Sequence, residues 1–185
     1  MTSQIIPVDP FDFIIFGATG DLAERKLLPA LYQRQRAGQF SEPTRIVGAS
    51  RTAHSTDDYR DFAARAIAEH VQGNEFDEVE LRRFLERITY VQVDAAAGEG
   101  FDRLKAELDG ENRVRAYYLA VGPALFGEIA KNLAGHGLVN EKARIVVEKP
   151  IGRSLGSARV LNDEIGQVFS EEQTFRIDHY LGKET

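Results

Sequence analysis

The chain has 185 residues, of which 43% are hydrophobic and 28% charged, a composition typical of a soluble globular domain. Its formal net charge of −6 argues against nucleic acid as the main partner, because a phosphate backbone is bound by a basic surface. The absence of cysteine excludes a disulfide framework and a thiolate zinc site, and it is compatible with the cytoplasm. We find no signal peptide in residues 1–10 and no apolar segment of the roughly 20 residues that span a membrane.

Short apolar segments alternate with longer amphipathic ones along the chain. Strands are predicted at residues 11–16, 45–49, 88–93, 114–120, 144–147 and 174–177. Helices are predicted at residues 22–37, 55–71, 77–87, 101–108, 123–135 and 154–168. Strands separated by helices favour parallel pairing with crossover helices on both faces. The predicted fold class is therefore α/β, with a Rossmann-like, doubly wound, mainly parallel six-stranded sheet that binds ligands beyond the carboxyl ends of its strands.

A glycine-rich turn joins the first predicted strand to the first helix, with the spacing G-x-x-G-x-x-A over residues 17–23. Gly17 permits a tight turn, Gly20 lets the backbone approach a pyrophosphate, and Ala23 allows close packing of helix on strand. The amino end of the helix offers unpaired N–H groups to phosphates. The alternative is an ordinary turn in which Asp21 is the helix N-cap, but the position of the motif favours a dinucleotide site.

The end of the second strand bears on the choice of cofactor. Proteins that bind NAD usually place an acidic residue there to accept hydrogen bonds from the ribose 2′-hydroxyl. This chain has Ser50, Arg51 and Thr52 instead, and the guanidinium of Arg51 suits a 2′-phosphate. The sequence therefore favours NADP⁺, with a solvated loop arginine as the alternative.

Two later motifs also follow predicted strands. In the segment Glu148-Lys149-Pro150, Lys149 could reach a substrate near the nicotinamide, although an isolated motif of this kind is more often a simple turn. In residues 176–184, a helix starting near Asp178 would place His179 and Lys183 on one face, where two cationic donors suit a phosphate dianion. An incidental His–Lys pair explains that spacing equally well. Lys26 lies in the first predicted helix, and a solvated side chain is the simpler interpretation of this residue.

Together these segments resemble the glucose-6-phosphate dehydrogenase family. The matching motifs are Gly17-Ala18-Thr19-Gly20-Asp21-Leu22-Ala23, Lys26-Leu27-Leu28-Pro29, Gly48-Ala49-Ser50-Arg51, Glu148-Lys149-Pro150 and Arg176-Ile177-Asp178-His179-Tyr180-Leu181-Gly182-Lys183-Glu184. The last motif is highly specific for the family. The resemblance extends from about residue 12 to the final residue and covers well under half of the family's usual length.

The resemblance implies the activity and the roles of individual residues. The family oxidises the C1 hydroxyl of glucose 6-phosphate with NADP⁺, giving 6-phosphoglucono-lactone in the first step of the pentose phosphate pathway. The implied cofactor-binding residues are Gly17, Ala18, Thr19, Gly20, Asp21, Leu22, Ser50, Arg51 and Lys149. The implied substrate-binding residues are Lys26, Lys149, His179, Tyr180 and Lys183. Asp178 would orient a catalytic histidine, and Pro150 would help to position Lys149.

The resemblance also implies what this chain lacks. Residues 1–185 would form the NADP-binding domain, and residues 178–185 would be the junction to a larger β+α domain. That larger domain carries the family's catalytic histidine and its homo-oligomer interface, so we expect a truncated cytoplasmic dehydrogenase chain with little activity. No metal, nucleic acid or membrane partner is expected. A stand-alone NADP-binding or regulatory module is the alternative, and another Rossmann-type oxidoreductase or nucleotide sensor is the weaker third hypothesis.

Overall fold

The computed structural model describes residues 6–110, 113–148 and 155–177. The strands are β1 (Phe11–Phe16), β2 (Arg45–Ser50), β3 (Ile88–Gln92), β4 (Val114–Leu119), β5 (Ala143–Glu148) and β6 (Thr174–Ile177). The helices are α1 (Leu28–Arg36), α2 (Thr56–His70), α3 (Glu78–Glu86), α4 (Phe101–Glu107), α5 (Phe126–Gly135) and α6 (Leu155–Gly166). Each predicted strand and helix is present. The bounds of β1 and β6 are as predicted, and the others differ by at most three residues except at the start of the first helix.

The six strands form one sheet in the order β3-β2-β1-β4-β5-β6, and every neighbouring pair is parallel. This confirms the predicted doubly wound fold. The strand order reverses between β1 and β4, where Phe16 pairs with Ala49 on one side and with Leu119 on the other. In such sheets the crevice beyond this switch point receives the ligand. We call the edge at which the strands end the carboxyl edge and the opposite edge the amino edge.

Each face of the sheet has its own buried cluster, because side chains alternate along a strand. Ile14 and Phe16 of β1 pack with α4, α5 and α6, whereas Ile15 packs with α1, α2 and α3. Helices therefore cover both faces of the sheet. Among the described residues, no helix is both long enough and apolar enough to cross a membrane.

The start of the first helical segment departs from the prediction of one regular helix over residues 22–37. A π-helical turn, Ala23–Leu27, precedes α1, and the N–H of Leu28 bonds to the carbonyl of Ala23 five residues earlier. Pro29 lies in the next turn and has no N–H to donate to the carbonyl four residues before it. A widened turn accommodates that missing bond. The helix predicted from Pro123 likewise begins with a short 3₁₀ turn, Pro123–Leu125, before α5.

Two predicted helix starts are stabilised by capping side chains. The Ser-x-x-Asp pattern forms a capping box, in which the Ser55 hydroxyl accepts the N–H of Asp58 and the Asp58 carboxylate accepts the N–H of Ser55. Asp77 caps α3 by accepting the N–H groups of Val79 and Glu80. The Ser55 hydroxyl, which also donates to the Asp58 carboxylate, and then the Ser55 N–H lower the pKa of Asp58, and the N–H groups of Glu80 and Val79 lower the pKa of Asp77.

A cluster of arginines surrounds one buried carboxylate at the amino edge. Asp12 is fully buried, and Arg45 holds it through two bonds, Nε–Oδ1 at 2.8 Å and Nη2–Oδ2 at 3.0 Å. The Nε atoms of Arg113 and Arg115 lie 3.7 and 4.0 Å from the same carboxylate. Arg45 and Arg115 also donate to the carbonyls of residues 107 and 108 at the end of α4. The helix dipole stabilises cations at the carboxyl end of a helix, which favours these two contacts. The cluster therefore connects β1, β2 and β4 to α4.

Candidate dinucleotide site

A cleft of about 470 Å³ lies at the carboxyl edge, beyond the ends of β1, β2, β3 and β4. It is lined by residues 16–17, 19–20, 49–52, 93–96, 120–122 and 125. These segments lie at or after the ends of four neighbouring strands, which is why residues far apart in the sequence share one cleft. The cleft therefore occupies the position at which doubly wound sheets bind dinucleotides.

Gly17 is required where the glycine turn meets the end of β4. Its φ of +82° lies in the left-handed region, and a Cβ placed there would lie 2.3 Å from the carbonyl oxygen of Ala120. The N–H of Gly17 bonds to the carbonyl of Ala49, and the N–H of Gly20 bonds back to the carbonyl of Gly17. A side chain at position 17 would both strain the backbone and push β4 away, so the close approach of turn and strand depends on this glycine.

The turn is also held from behind by Tyr59 of α2. The buried Tyr59 hydroxyl donates to the carbonyl of Ala18 at 3.1 Å. Gly48 makes room for it, because a Cβ on that residue would lie 2.4 Å from the Tyr59 ring. Burial raises the pKa of Tyr59, which keeps the hydroxyl protonated as a donor. The shape of the turn therefore depends on packing against β2 and α2 as well as on its own sequence.

Arg51 lies at the rim of the cleft, immediately after β2. Its side chain is exposed. The ion pairs formed among residues 6–110, 113–148 and 155–177 include none between Arg51 and a carboxylate. The neighbouring Ser50 lies 3.2 Å, Oγ to Oγ1, from Thr19 of the glycine turn. The guanidinium therefore lies beside the phosphate-binding turn and forms no ion pair with a carboxylate of the described residues.

Side chains of β3 hold the backbone on both sides of Arg51. The Tyr90 hydroxyl lies 2.7 Å from Ser50 Oγ, 3.2 Å from the Ser50 carbonyl and 2.5 Å from the Thr52 carbonyl. Gln92 Nε2 donates to the carbonyl of Arg51 at 3.0 Å. Burial raises the pKa of the Tyr90 phenol, although its bond with Ser50 opposes this shift.

A second, smaller cleft of about 270 Å³ adjoins the first through Ala120 and Val121. Leu22 and Glu148 line it as well, so it lies beyond the ends of β4 and β5. The Tyr118 hydroxyl donates to the carboxylate of Glu148. Burial, followed by this carboxylate, raises the pKa of Tyr118. The two clefts form a path along the carboxyl edge from β3 to β5.

The structure brings five of the predicted cofactor residues together, and they are Gly17, Thr19, Gly20, Ser50 and Arg51. Leu22 lines the adjoining cleft, whereas Ala18 is buried behind the turn. Asp21 is exposed, and its carboxylate lies 3.6 Å from Arg25 Nη1. Lys26 is exposed within the π turn and lines neither cleft.

Six of the predicted functional residues lie outside the described residues. They are Lys149, Pro150, Asp178, His179, Tyr180 and Lys183. Their predicted roles remain predictions. The described parts of the two motifs end at Glu148, the last residue of β5, and at Ile177, the last residue of β6, and both residues lie at the carboxyl edge.

Several residues of the site were not predicted from the sequence. The loop 93–96 and Ala120–Gly122 line the main cleft, and Tyr90 and Gln92 support its arginine. The rule that ligands bind beyond strand ends would have found the two loops, since both follow predicted strands. Tyr90 and Gln92 carry no such signal, because their role depends on the register of β2 against β3.

The residues present fit a dinucleotide with an extra phosphate. A glycine turn at a helix amino end suits a pyrophosphate, and an arginine after β2 suits a phosphate on the ribose. Among the described residues, no group of three or more His, Asp or Glu side chains could hold a metal ion. The fold and the lining of this cleft define a doubly wound, dinucleotide-binding class of domain.

Comparison with known proteins identifies the family. The model of the glucose-6-phosphate dehydrogenase NAD binding domain matches residues 14–185, and the chain belongs to this family. Glucose-6-phosphate 1-dehydrogenase of Rhizobium meliloti (strain 1021) is 61% identical over 186 residues, covering 100% of this chain and 38% of that protein. The enzyme of Mycolicibacterium smegmatis is 48% identical, covering 97% of this chain and 37% of that protein.

Solved structures agree. The crystal structure of glucose-6-phosphate 1-dehydrogenase from Mycobacterium avium matches with a TM-score of 0.85 at 35% identity, over 94% of this chain and 37% of that one. A glucose-6-phosphate dehydrogenase in complex with its substrate glucose 6-phosphate matches with a TM-score of 0.79 at 32% identity, over 100% of this chain and 39% of that one. The chain thus spans less than two fifths of the length of the relatives it matches.

Proposed function

We propose that this chain binds NADP⁺ as the coenzyme-binding part of a glucose-6-phosphate dehydrogenase. The observation that carries the proposal is the position of Arg51, which lies beside the glycine turn where an NAD-specific domain would have an acidic residue. The pyrophosphate would lie at the turn of Gly17 and Gly20, and the 2′-phosphate would lie against Arg51 and Ser50. A carboxylate in place of Arg51 would repel that phosphate, so the arrangement favours NADP⁺ over NAD⁺.

The substrate end of the site would lie at the adjoining cleft. A dinucleotide whose adenosine ribose is held after β2 extends past the switch point toward β4 and β5, where Glu148 lines the wall. Lys149 follows Glu148 directly, so we propose it as a contact for both substrate and nicotinamide. His179, Tyr180 and Lys183 would bind the sugar phosphate, with Lys26 as a further substrate contact and Asp178 as the partner of a histidine base.

The family reaction transfers the C1 hydride of glucose 6-phosphate to NADP⁺, while a base removes the hydroxyl proton. The histidines of the described chain are poorly suited to be that base. The rings of His70 and His136 each bond to a backbone carbonyl four residues earlier, and His54 packs against Tyr90 at the adenosine end. We propose that the base, like the homo-oligomer interface, belongs to the larger domain that the relatives contain beyond this span, in a cytoplasmic enzyme.

The cofactor assignment is tested by calorimetric titration of the chain with NADP⁺ and with NAD⁺. Charge-assisted hydrogen bonds contribute about 1.5–3 kcal/mol, so Arg51→Ala should weaken NADP⁺ binding by about 10- to 150-fold. Binding of NAD⁺ should change little, because NAD⁺ has no 2′-phosphate. An unchanged preference for NADP⁺ in the variant would refute the assignment.

The catalytic proposal is tested by measuring NADPH formation with glucose 6-phosphate. General-base catalysis typically contributes about 10²–10⁴-fold, so the 185-residue chain should show very little turnover. Binding of NADP⁺ without turnover is also what a stand-alone binding module would give, and binding of glucose 6-phosphate separates the two. Robust turnover would show that the base is within these 185 residues.

A further inference from the structure

We propose that Tyr90 and Gln92 of β3 are positioning residues that set the preference of this site for a dinucleotide with a 2′-phosphate. They would act through Arg51 and touch no part of the ligand. The inference rests on the proposed function, because it takes Arg51 as the group that binds the 2′-phosphate.

The first argument is that side chains of β3 donate hydrogen bonds to the carbonyl groups of Arg51 and Thr52. The Tyr90 hydroxyl contacts those of Ser50 and Thr52, at 3.2 and 2.5 Å, and Gln92 Nε2 donates to that of Arg51 at 3.0 Å. The phenol has a single proton, and its shortest contact assigns that proton to Thr52. We call Tyr90 and Gln92 the β3 clamp.

The second argument is that the parallel ladder ends just before the arginine. The N–H of Val93 bonds to the carbonyl of Ser50, and the chain then bends away over residues 51 and 52. The backbone hydrogen bonds of the sheet end before this bend, and hydrogen bonds from side chains of β3 hold it instead. Register explains why these two residues do so, since Ser50 pairs with Gln92 and Gly48 with Tyr90.

The third argument is that the Tyr90 ring is itself fixed. It packs on Tyr59 with ring centroids 4.9 Å apart, and the His54 ring meets it edge-on at 5.5 Å. The N–H of Tyr90 bonds to Thr56 Oγ1 at the start of α2. A hydroxyl on a ring held in this way has a defined position, so it can define the path of the backbone that it binds.

The clamp also connects the two halves of the phosphate site. Thr19 Oγ1 lies 3.2 Å from Ser50 Oγ, which lies 2.7 Å from the Tyr90 hydroxyl. The glycine turn, the end of β2 and β3 are therefore joined by one chain of hydroxyl groups. The clamp fixes the backbone of Arg51, which lowers the entropic cost of ordering its side chain on a ligand. The side chain itself stays exposed, so the clamp does not occupy the guanidinium donors.

This arrangement predicts a selective effect. Loss of one clamp hydrogen bond should move or loosen the Arg51 backbone, and so weaken the contact with the 2′-phosphate, while the pyrophosphate contacts at the glycine turn remain. A net hydrogen bond corresponds to about 2- to 10-fold in affinity, so Tyr90→Phe and Gln92→Ala should each weaken NADP⁺ binding by about that factor. The affinity for NAD⁺ should change by less than about twofold.

The test is calorimetric titration of the 185-residue chain with NADP⁺ and NAD⁺ for the wild type, Tyr90→Phe, Gln92→Ala and Arg51→Ala. Tyr59→Phe is the matched control, because its hydroxyl supports Ala18 in the turn that both dinucleotides share, and it should weaken both alike. Gln92 is exposed, so Gln92→Ala tests the clamp even where Tyr90→Phe disturbs folding.

The double variant Arg51→Ala with Tyr90→Phe identifies the route of the effect. If the clamp acts through Arg51, the loss of selectivity caused by Tyr90→Phe should disappear once Arg51 is absent. Additive losses, or equal losses for NADP⁺ and NAD⁺ in the clamp variants, would overturn the positioning role. Selectivity that survives Arg51→Ala itself would overturn the proposed function instead, so the two failures are distinguishable.

Discussion

Arginine has opposite roles at the two edges of this sheet. At the amino edge, Arg45, Arg113 and Arg115 converge on the buried carboxylate of Asp12. At the carboxyl edge, Arg51 faces solvent, with its backbone held by β3 and no carboxylate partner among the described residues. Both arginines flank the same strand, because Arg45 is the first residue of β2 and Arg51 directly follows its last residue.

The same side chain therefore has a different role at each edge, and the groups that surround the guanidinium decide which. Arg45 contacts both oxygens of Asp12 and a carbonyl at the end of α4, so its donors are engaged in holding the fold. The carbonyl of Arg51 is engaged instead, and its side chain remains available to a ligand. We therefore assign stability to the arginines of the amino edge and recognition to Arg51 at the carboxyl edge, and the following predictions test that division of roles.

The largest effect is expected for Asp12→Asn. Removing this charge leaves three guanidinium groups around a neutral side chain, and breaking a buried ion pair at one partner typically costs about 3–5 kcal/mol. The free energy of unfolding, measured by urea titration, should fall by that amount. NADP⁺ affinity under folding conditions should stay the same.

Glu128→Gln is the matched control, because it removes a carboxylate from an exposed ion pair with Lys131. Exposed pairs contribute little, so the unfolding free energy should change by less than about 1 kcal/mol. A small effect of Asp12→Asn, or a loss of NADP⁺ selectivity in a folded variant, would contradict the division between the edges.

The next largest effect is expected for Gly17→Ala. The new methyl group would lie 2.3 Å from the carbonyl oxygen of Ala120, and the backbone would remain at a positive φ. Left-handed strain and overpacking together should lower the unfolding free energy by about 2–5 kcal/mol. Affinity for NADP⁺ and NAD⁺ should fall by similar factors in calorimetry, because both use the turn.

Gly38→Ala separates the two causes. Gly38 also has a positive φ, of +71°, but an added Cβ would meet nothing within 4 Å. In this variant, backbone strain alone should lower the unfolding free energy, by about 1–2 kcal/mol. Both dinucleotides should bind as they do to the wild type. Equal effects at positions 17 and 38 would show that the contact with β4 is unimportant.

The fold could be predicted because its signals are local. Apolar segments of β1 and β2, the glycine turn and the Ser55 capping pattern each specify their own element, and alternation of strands with helices specifies parallel pairing. The position of Arg51 at the cleft could be predicted for the same reason, because the sequence shows that it follows a strand.

The remainder depends on contacts between distant segments. Tyr90 supports Arg51 across 38 to 40 residues through the register of two strands, and no spacing in the sequence reveals it. Asp12 is another example, since an acidic residue at the start of an apolar strand gives no sign of three arginines around it. The π turn at Ala23–Leu27 was missed because the pattern of apolar residues continues through it, although Pro29 was a signal that could have been used.

A smaller effect is expected when each arginine keeps its charge but loses its planar fork. Arg45→Lys should lower the unfolding free energy by about 1–3 kcal/mol, because lysine cannot donate to both Asp12 oxygens and the α4 carbonyl together. Arg51→Lys should leave stability within about 0.5 kcal/mol and weaken NADP⁺ binding by several-fold. Urea titration of both variants measures the unfolding free energy, and calorimetry measures the affinity for NADP⁺. If Arg45→Lys weakened NADP⁺ binding while Arg51→Lys lowered stability, the proposed division of roles would be refuted.

The smallest effect is expected at alkaline pH. Burial raises the folded-state pKa of Tyr90 above its ordinary value of about 10, so its contribution to stability is fully present below about pH 10 and is lost as the pH rises through the higher folded pKa. The ratio of NADP⁺ to NAD⁺ affinity should therefore stay constant from about pH 7 to about pH 9 and fall only beyond the folded pKa. Ultraviolet titration of the tyrosines in wild type and Tyr90→Phe identifies the step that belongs to Tyr90. A decline in selectivity well below that step would mean that a group outside the β3 clamp controls Arg51.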